Sequence, residues 1–424
     1  MTFSKTRHAM RFKTFYLLGL LGFLTFSNFL LAEVTQDDLR DFLRDYHFSI
    51  EKKAKGYSEL AYAITQEKPA IAEVLVIRGA NLADTFDDNK STPLSLAIEK
   101  GYDTLVQRMI DRKANVNQVV EGIYDGCMPQ AVNEAFPDRI CGPDNYSLLE
   151  VAIKAKQPKI VAILLENGAD PEYISKLRYR PIHLAVRHQQ LESLHLLLKR
   201  GANTNVIDLW GYAPLHYVAF FPKEIDAVHY ADVLLEWGAN VNQKIEAPVG
   251  KFAPLHIAAF NGHVDLVQSL LRHSATVDLE DGQGCTPLWC SINSAHESRD
   301  IVRGLIQGGA QPNRLNRFKM VGYPPNLYFY TPLTLAIQKN KLEAAKILLE
   351  NNAEPNQIDG NGETALVLAV NGENTAAIAL LLGNGANPST KNRLGDSPID
   401  RAVEKKNVAL LDLLIKGQVN LLSR

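Results

Sequence analysis

Apolar residues in this chain fall into short phased runs separated by polar turns. In "APLHIAAFNG", residues 253–262, Leu255 and Ala258 share one helical face and Gly262 closes the run. A proline suits the first turn of a helix, and where Thr precedes it the hydroxyl supplies an N-cap oxygen. A second apolar run follows each opening and in most copies ends on Gly-Ala, as in "SLHLLLKRGANTN", residues 193–205. A glycine able to take positive φ stops a helix there. The pattern predicts two short helices per unit, with a small Ala that lets the paired helix approach closely. One such pair cannot bury its apolar face alone, whereas stacked neighbours can.

The same unit returns along the chain. "TPLSLAI" begins at Thr92, "SLLEVAI" at Ser147, "RPIHLAV" at Arg180, "APLHYVA" at Ala213 and "APLHIAA" at Ala253. "TPLWCSI" at Thr286, "TPLTLAI" at Thr331, "TALVLAV" at Thr364 and "SPIDRAV" at Ser397 complete the series, with a weaker copy from Ser58. Leu149, Ile182 and Leu215 are 33 residues apart, as are Leu333, Leu366 and Ile399. These copies resemble the ankyrin repeat, with its period of 33 and T-P-L-H-x-A signature. The resemblance covers about residues 57–424. It implies an all-α repeat solenoid of about ten stacked helix-turn-helix units with β-hairpin loops and a cap at each end.

Breaks in the period mark insertions. Leu94 and Leu149 are 55 apart, so residues 118–146 are an insertion, and a second lies at about 314–330. Repeats 1 and 2 then occupy 57–117, and repeats 3 to 10 occupy 147–424. Residues 34–56 read as an N-terminal capping helix. The last unit, with Arg401, Glu404, Lys405 and Lys406, reads as a polar C-terminal cap.

The first 32 residues depart from this pattern. Lys5, Arg7, Arg11 and Lys13 precede an apolar run from Phe15 to Ala32, which reads as a secretory signal peptide cleaved after Ala32. The alternative is an uncleaved anchor, residues 15–32 being just long enough to span a bilayer. Either way the basic residues stay inside and the repeats are exported. The periplasm or the outside receives them after cleavage; otherwise they hang from the inner membrane. Removing the four cations takes the formal charge from −2 to −6. Such a chain offers no basic face for nucleic acid.

Catalytic spacings are missing: no G-x-S-x-G, H-E-x-x-H, P-loop or G-x-G-x-x-G stands in a suitable setting. The non-repeat segments 34–56 and 118–146 are too short for a catalytic domain, so no enzyme, cofactor or metal is expected. His183, His216 and His256 sit at one position of successive repeats, and the resemblance implies a structural role, bonding backbone at the turn between neighbours. His273 occupies the slot where sister repeats often carry glycine. An even cysteine count in an exported chain permits disulfides. Cys127 and Cys141 are the candidate bridge; Cys285 and Cys290 lack CxxC spacing and stand between a bridge and free, partly buried thiols.

The residue just before the Thr-Pro slot is aromatic in five of six consecutive units: Tyr146, Tyr179, Tyr212, Phe252 and Tyr330. Trp210, Phe220, Phe221, Phe260 and Tyr328 lie close by in sequence. Aromatic rings bury large area with few rotatable bonds, which makes them interface anchors. Two readings stand: a binding strip along the concave face, or rings that pack on the next hairpin as a minor core. The resemblance implies a monomeric, non-enzymatic scaffold that binds another protein, in a bacterial envelope or secreted setting. The alternatives are a regulatory or protective subunit of an envelope enzyme, and a secreted effector of a host-associated bacterium.

Overall fold

The computed structural model describes residues 34–53, 58–85, 91–123, 143–223, 225–245, 250–296, 299–319 and 327–422. Its helices fall into two compact units, residues 1–202 and 203–424. The first begins with α1 (Gln36–Lys53), followed by the pairs α2 (Glu59–Thr65) with α3 (Pro69–Ile77) and α4 (Pro93–Glu99) with α5 (Asp103–Asp111). The strands β1 (Val119–Ile123) and β2 (Pro143–Ser147) come next, then α6 (Leu148–Lys154) with α7 (Pro158–Glu166) and α8 (Pro181–Arg187) with α9 (Leu191–Lys199).

The second unit opens with α10 (Pro214–Val218) and α11 (Ala227–Glu236), α12 (Pro254–Asn261) and α13 (Val264–Arg272), then α14 (Pro287–Asn293) and α15 (Arg299–Gln307). After β3 (Asn316–Lys319) and β4 (Leu327–Tyr330) come α16 (Pro332–Gln338) with α17 (Leu342–Glu350) and α18 (Ala365–Asn371) with α19 (Thr375–Gly383). It ends with α20 (Pro398–Glu404) and α21 (Val408–Leu422). Ten helix pairs result, each an inner helix opening on the "TP" position and an outer helix ending at the stop.

Hydroxyl caps open most inner helices. Ser58, Thr92, Ser147, Thr286, Thr331, Thr364 and Ser397 each accept from the backbone N–H three residues on. Behind the caps, Leu94, Leu149, Ile182, Leu255 and Leu366 are all buried, as are Ala97, Ala152, Ala185, Ala258 and Ala369. Burying one such Leu or Ile stabilises the array by roughly 1.5–3 kcal/mol.

The outer helices stop on residues with positive φ, among them Gly168, Gly201, Gly238, Gly309 and Gly385. Lys113, Ser274 and Asn352 take the same conformation at φ 68, 64 and 66. The glycine slot in the sixth repeat is therefore held by Ser274, not by His273, because His273 is still the C-cap of α13. Just past several of these stops an asparagine ties one repeat to the next. Asn117 donates to Gly168 O at 3.0 Å and accepts from Asp170 N at 2.9 Å. In the second unit Asn205 does the same with Gly238 O and Asn240 N, and Asn356 with Gly385 O and Asn387 N.

The two long insertions build hairpin arms. β1 pairs antiparallel with β2, Val120 opposite Tyr146, and β3 with β4, Asn316 opposite Tyr330. Cys127 and Cys141 lie outside the described residues, as does the segment 1–32. Among the described residues no helix is long and apolar enough to cross a membrane. Cys285 and Cys290 are free thiols, both buried.

Candidate protein-binding surface

The rings before the "TP" position do not form one exposed strip. Tyr146, Tyr179 and Tyr212 are 3%, 0% and 2% exposed, and Phe221 is buried as well. These four lie inside and cannot touch a partner, which corrects the binding-strip reading at those positions. Tyr179 stands edge-on to His183 at 5.8 Å, with the Arg187 guanidinium over its face. Tyr212 meets His216, Tyr217 and Phe220 at 6.0, 5.7 and 5.9 Å between centroids. Phe221 stacks edge-on against Tyr230 at 5.1 Å.

The hairpin turn is what directs Tyr212 inward. The buried Asp208 carboxylate accepts from the N–H of Trp210 and of Tyr212, both at 2.9 Å, and from the Tyr217 hydroxyl. Asp208 N–H also donates to Tyr212 O at 3.1 Å, closing the loop. The device recurs in the second unit. Asp281, Asp359 and Asn392 each accept from the N–H two and four residues on. Burial pushes the Asp281 and Asp359 carboxyls up, and the backbone donors oppose it. At Tyr212 this acceptor four residues before the ring, with Gly211 one residue before it, closes the turn over the ring; at Tyr179 the Ser175 hydroxyl accepts from its N–H at 3.1 Å, and Arg178 takes the positive φ.

Other rings of the second unit remain accessible. Phe252 is half-buried over Gly250, so close that a Cβ at Gly250 would lie 2.1 Å from the ring. Tyr330 is half-buried at the end of β4, and Phe329 before it leans on Gly360 of the next hairpin. Tyr328 lies in β4, its side chain outside the described set. Trp210 is half-buried at its hairpin tip, beside the exposed Leu209.

Phe220 and Phe260 end two consecutive inner helices. α10 is cut to five residues, and Phe220 and Phe221 continue it through i to i+3 bonds to Tyr217 O and Val218 O. That tighter turn sends Phe221 inward and leaves Phe220 half-buried. Phe260 is 44% exposed, and Asn261 after it donates to Ala219 O at 2.9 Å, which joins the two helix ends. Leu209, Trp210, Phe220, Phe252 and Phe260 are thus accessible apolar side chains on the hairpin and inner-helix side of two adjoining repeats, and Trp237, 47% exposed at the end of the outer helix α11, is a further open ring.

The repeated histidines are buried and backbone-bonded. Nδ1 of His183, His216 and His256 accepts from the N–H of Arg180, Ala213 and Ala253 at 3.1, 3.0 and 3.2 Å. Nε2 of His216 meets Gln243 O at 2.9 Å and that of His256 meets Cys285 O at 3.2 Å. An acceptor at Nδ1 and a donor at Nε2 make a neutral ring, and burial pushes both His216 and His256 down to about 4. Histidine stands where the N-cap residue, Arg180, Ala213 or Ala253, brings no side-chain cap. Elsewhere Ser95, Glu150, Thr334 and Asp400 return an acceptor to the N-cap N–H at 2.8–2.9 Å. Trp289 cannot, and there Asn316 of the next hairpin accepts from Thr286 N at 3.2 Å.

A cavity of about 460 Å³ opens on the turn side of the second unit, lined by Lys223, Asp226, Gly262, His263 and Asp265 among others. Burial and the Lys223 ammonium push His263 down. No group of three His, Cys, Asp or Glu placed to hold a metal occurs among the described residues. The chemistry this surface supports is non-covalent recognition by apolar and aromatic side chains.

A family model described as ankyrin repeats (3 copies) matches residues 149–245, 245–316 and 333–423. Among curated proteins, the ankyrin repeat and KH domain-containing protein mask-1 of Caenorhabditis elegans is 29% identical over 135 residues, 31% of this chain and 5% of that protein. A putative ankyrin repeat protein of Rickettsia bellii is 38% identical over 77 residues, 18% of this chain and 31% of its own. Human ankyrin repeat and SOCS box protein 6 is 29% identical over 142 residues, 33% of this chain and 32% of its own. The chain thus spans at most about a third of the length of these relatives. With more than half of its length matched by the repeat model, the chain belongs to the ankyrin-repeat family.

Proposed function

We propose that this protein is a non-enzymatic scaffold that binds a partner protein through the inner-helix and hairpin face of its second unit. The reading is supported by its repeat family, whose arrays serve as protein-interaction scaffolds, and by the absence of catalytic spacings in the sequence. One observation carries the choice of surface. Phe260 ends an inner helix 44% exposed, with Phe220 and Trp210 half-buried on the same inner-helix and hairpin side of the adjoining repeat, while Tyr212, Tyr217, Phe221 and Tyr230 of that repeat are buried. An exposed aromatic set beside a closed core is the arrangement of an interface anchor.

The same proposal puts the repeats outside the cytoplasm. It rests on the basic and apolar run of residues 1–32, read as a signal peptide or anchor. Similarity to a Rickettsia bellii protein is compatible with a bacterial setting. Within that setting the partner is an envelope protein, an enzyme that the scaffold regulates or protects, or a host protein reached after secretion. Fractionation of cells expressing the chain with and without residues 1–32 separates these. Export should require the segment, and a cytoplasmic pool in both cases would overturn this localisation. A pull-down from the fraction that holds the protein should lose its partner when Trp210 and Phe260 are both replaced by Ala.

A further inference from the structure

One position of the repeat changes chemistry between the two units. Eight residues after the ring that precedes the "TP" position, the second unit carries Phe220 and Phe260, and the first carries Lys154 and Arg187. These two cations end successive inner helices, α6 and α8, and each turns back over a buried ring. The Lys154 ammonium stands 4.1 Å from the Tyr146 centroid. The Arg187 guanidinium lies 5.8 Å from that of Tyr179 and donates to its hydroxyl at 3.3 Å. A ring face orients a cation but leaves its charge in place. The hairpin beside Tyr179 adds two more cations, Lys176 and Arg178, both exposed on the turn that Ser175 closes through its N–H to Tyr179 O at 3.0 Å. The acids nearest them act within the fold. Glu150 is fully buried and accepts from the Ser147 N–H at 2.8 Å, Asp170 accepts from the Glu172 N–H at 2.9 Å, and Glu172 pairs with Arg180 at 3.2 Å. Glu99, exposed at the Lys154 position one repeat earlier, bounds the cationic stretch on that side.

We propose that this face of the first unit binds an acidic segment of a partner protein, laid extended across α6 and α8 with its carboxylates on Lys154, Lys176, Arg178 and Arg187. The planar forks of the two arginines match carboxylates by paired hydrogen bonds. Spacing favours an extended peptide. α6 packs on α8, packed helices lie about 8–10 Å apart, and an extended chain covers about 10 Å in three residues. Carboxylates at every third residue therefore meet one repeat each. Net charge disfavours the other polyanion. A chain of formal charge −2 lacks the broad basic surface that a nucleic acid with its closely spaced phosphates requires. The inference is independent of the aromatic surface, which lies in other repeats and uses other residues.

The test is fluorescence anisotropy of the full chain, in mild non-ionic detergent, with three labelled probes. They are a Gly-Ser peptide with Glu at every third residue, the same peptide with Gln in place of Glu, and a single-stranded oligonucleotide. The Glu peptide should bind about tenfold or more tightly than the Gln peptide and weaken as salt is added. Lys176→Glu with Arg178→Glu should cost it about tenfold or more with melting unchanged, since both side chains are exposed. Lys154→Gln with Arg187→Gln should weaken it as well, which gives a second variant that reverses no charge. Trp210→Ala with Phe260→Ala should bind the Glu peptide as the native chain does, so the two surfaces fail separately. Equal binding of the Glu and Gln peptides would overturn the proposal. So would Glu-peptide binding that survives either lysine-arginine double substitution, or an oligonucleotide that binds more tightly than the Glu peptide.

Discussion

Tyr212 and Phe260 are aromatic residues of adjoining repeats, and they sit in opposite environments. Tyr212 is held by the Asp208 turn and surrounded by His216, Tyr217 and Phe220, while Phe260 stands at a helix end with 44% of its surface open. The difference lies in the backbone. A residue whose N–H and C=O are both engaged in a closed hairpin has its side chain laid over the inner helix. A residue at a helix C-terminus projects past the last turn. Richness in aromatics along a repeat array is thus two features, a second core under the hairpins and a smaller open set beside it.

The largest expected effect breaks the buried side of that comparison. Tyr212→Ala should cost about 3–5 kcal/mol, as for a large ring removed from a closed site, and lower the denaturation midpoint sharply. A loss under about 1 kcal/mol would mean that the hairpin core is not a core.

Acid should come next. His216 and His256 titrate near 4 in the folded chain against about 6.5 unfolded, so the unfolded state takes up protons first. Their contribution is whole above pH 6.5 and falls as the pH drops toward 4, by roughly 3 kcal/mol per residue at most. Chemical denaturation from pH 7 to pH 4 reads this, and His216→Gln with His256→Gln should flatten the slope. An unchanged slope in the double variant would assign the acid sensitivity to other groups.

Asp208→Ala should cost about 2–3 kcal/mol, since two buried N–H groups and the Tyr217 hydroxyl lose a charged acceptor. Trp210 fluorescence should shift in the same variant, because its N–H is one of the two released. Ser274→Gly should have the smallest effect, a gain of up to about 1 kcal/mol from relieving a left-handed serine at φ 64. A loss there would show the Ser274 side chain to matter more than its backbone.

Much of this was legible in the sequence. The 33-residue step, the hydroxyl before proline and the Leu and Ala of each inner helix are local patterns, and local patterns carry helix pairs directly. The direction of the rings was not, because one residue before "TP" has an extended backbone whose alternate positions face opposite ways. Its register is set by Asp208, four residues upstream, which reads as an ordinary polar loop residue until the hairpin closes on it. The Ser274 slot was misplaced by one residue for a similar reason: without a glycine, the stop is marked only by backbone angle. The exposed Val408 and Ile415 of α21 stand in "VALLDLLI", residues 408–415, whose letters fit a covered helix and a bare one alike. Neighbours decide which, and neighbours are a tertiary fact.

Trp210→Ala with Phe260→Ala tests the surface most directly, measured as partner capture and melting on the same preparation. Capture should be lost and the melting midpoint held within a degree or two, roughly the effect of a change well under 1 kcal/mol in a domain of this size. Capture intact, or capture lost only in step with a large fall in melting, would contradict it and leave these rings as core alone.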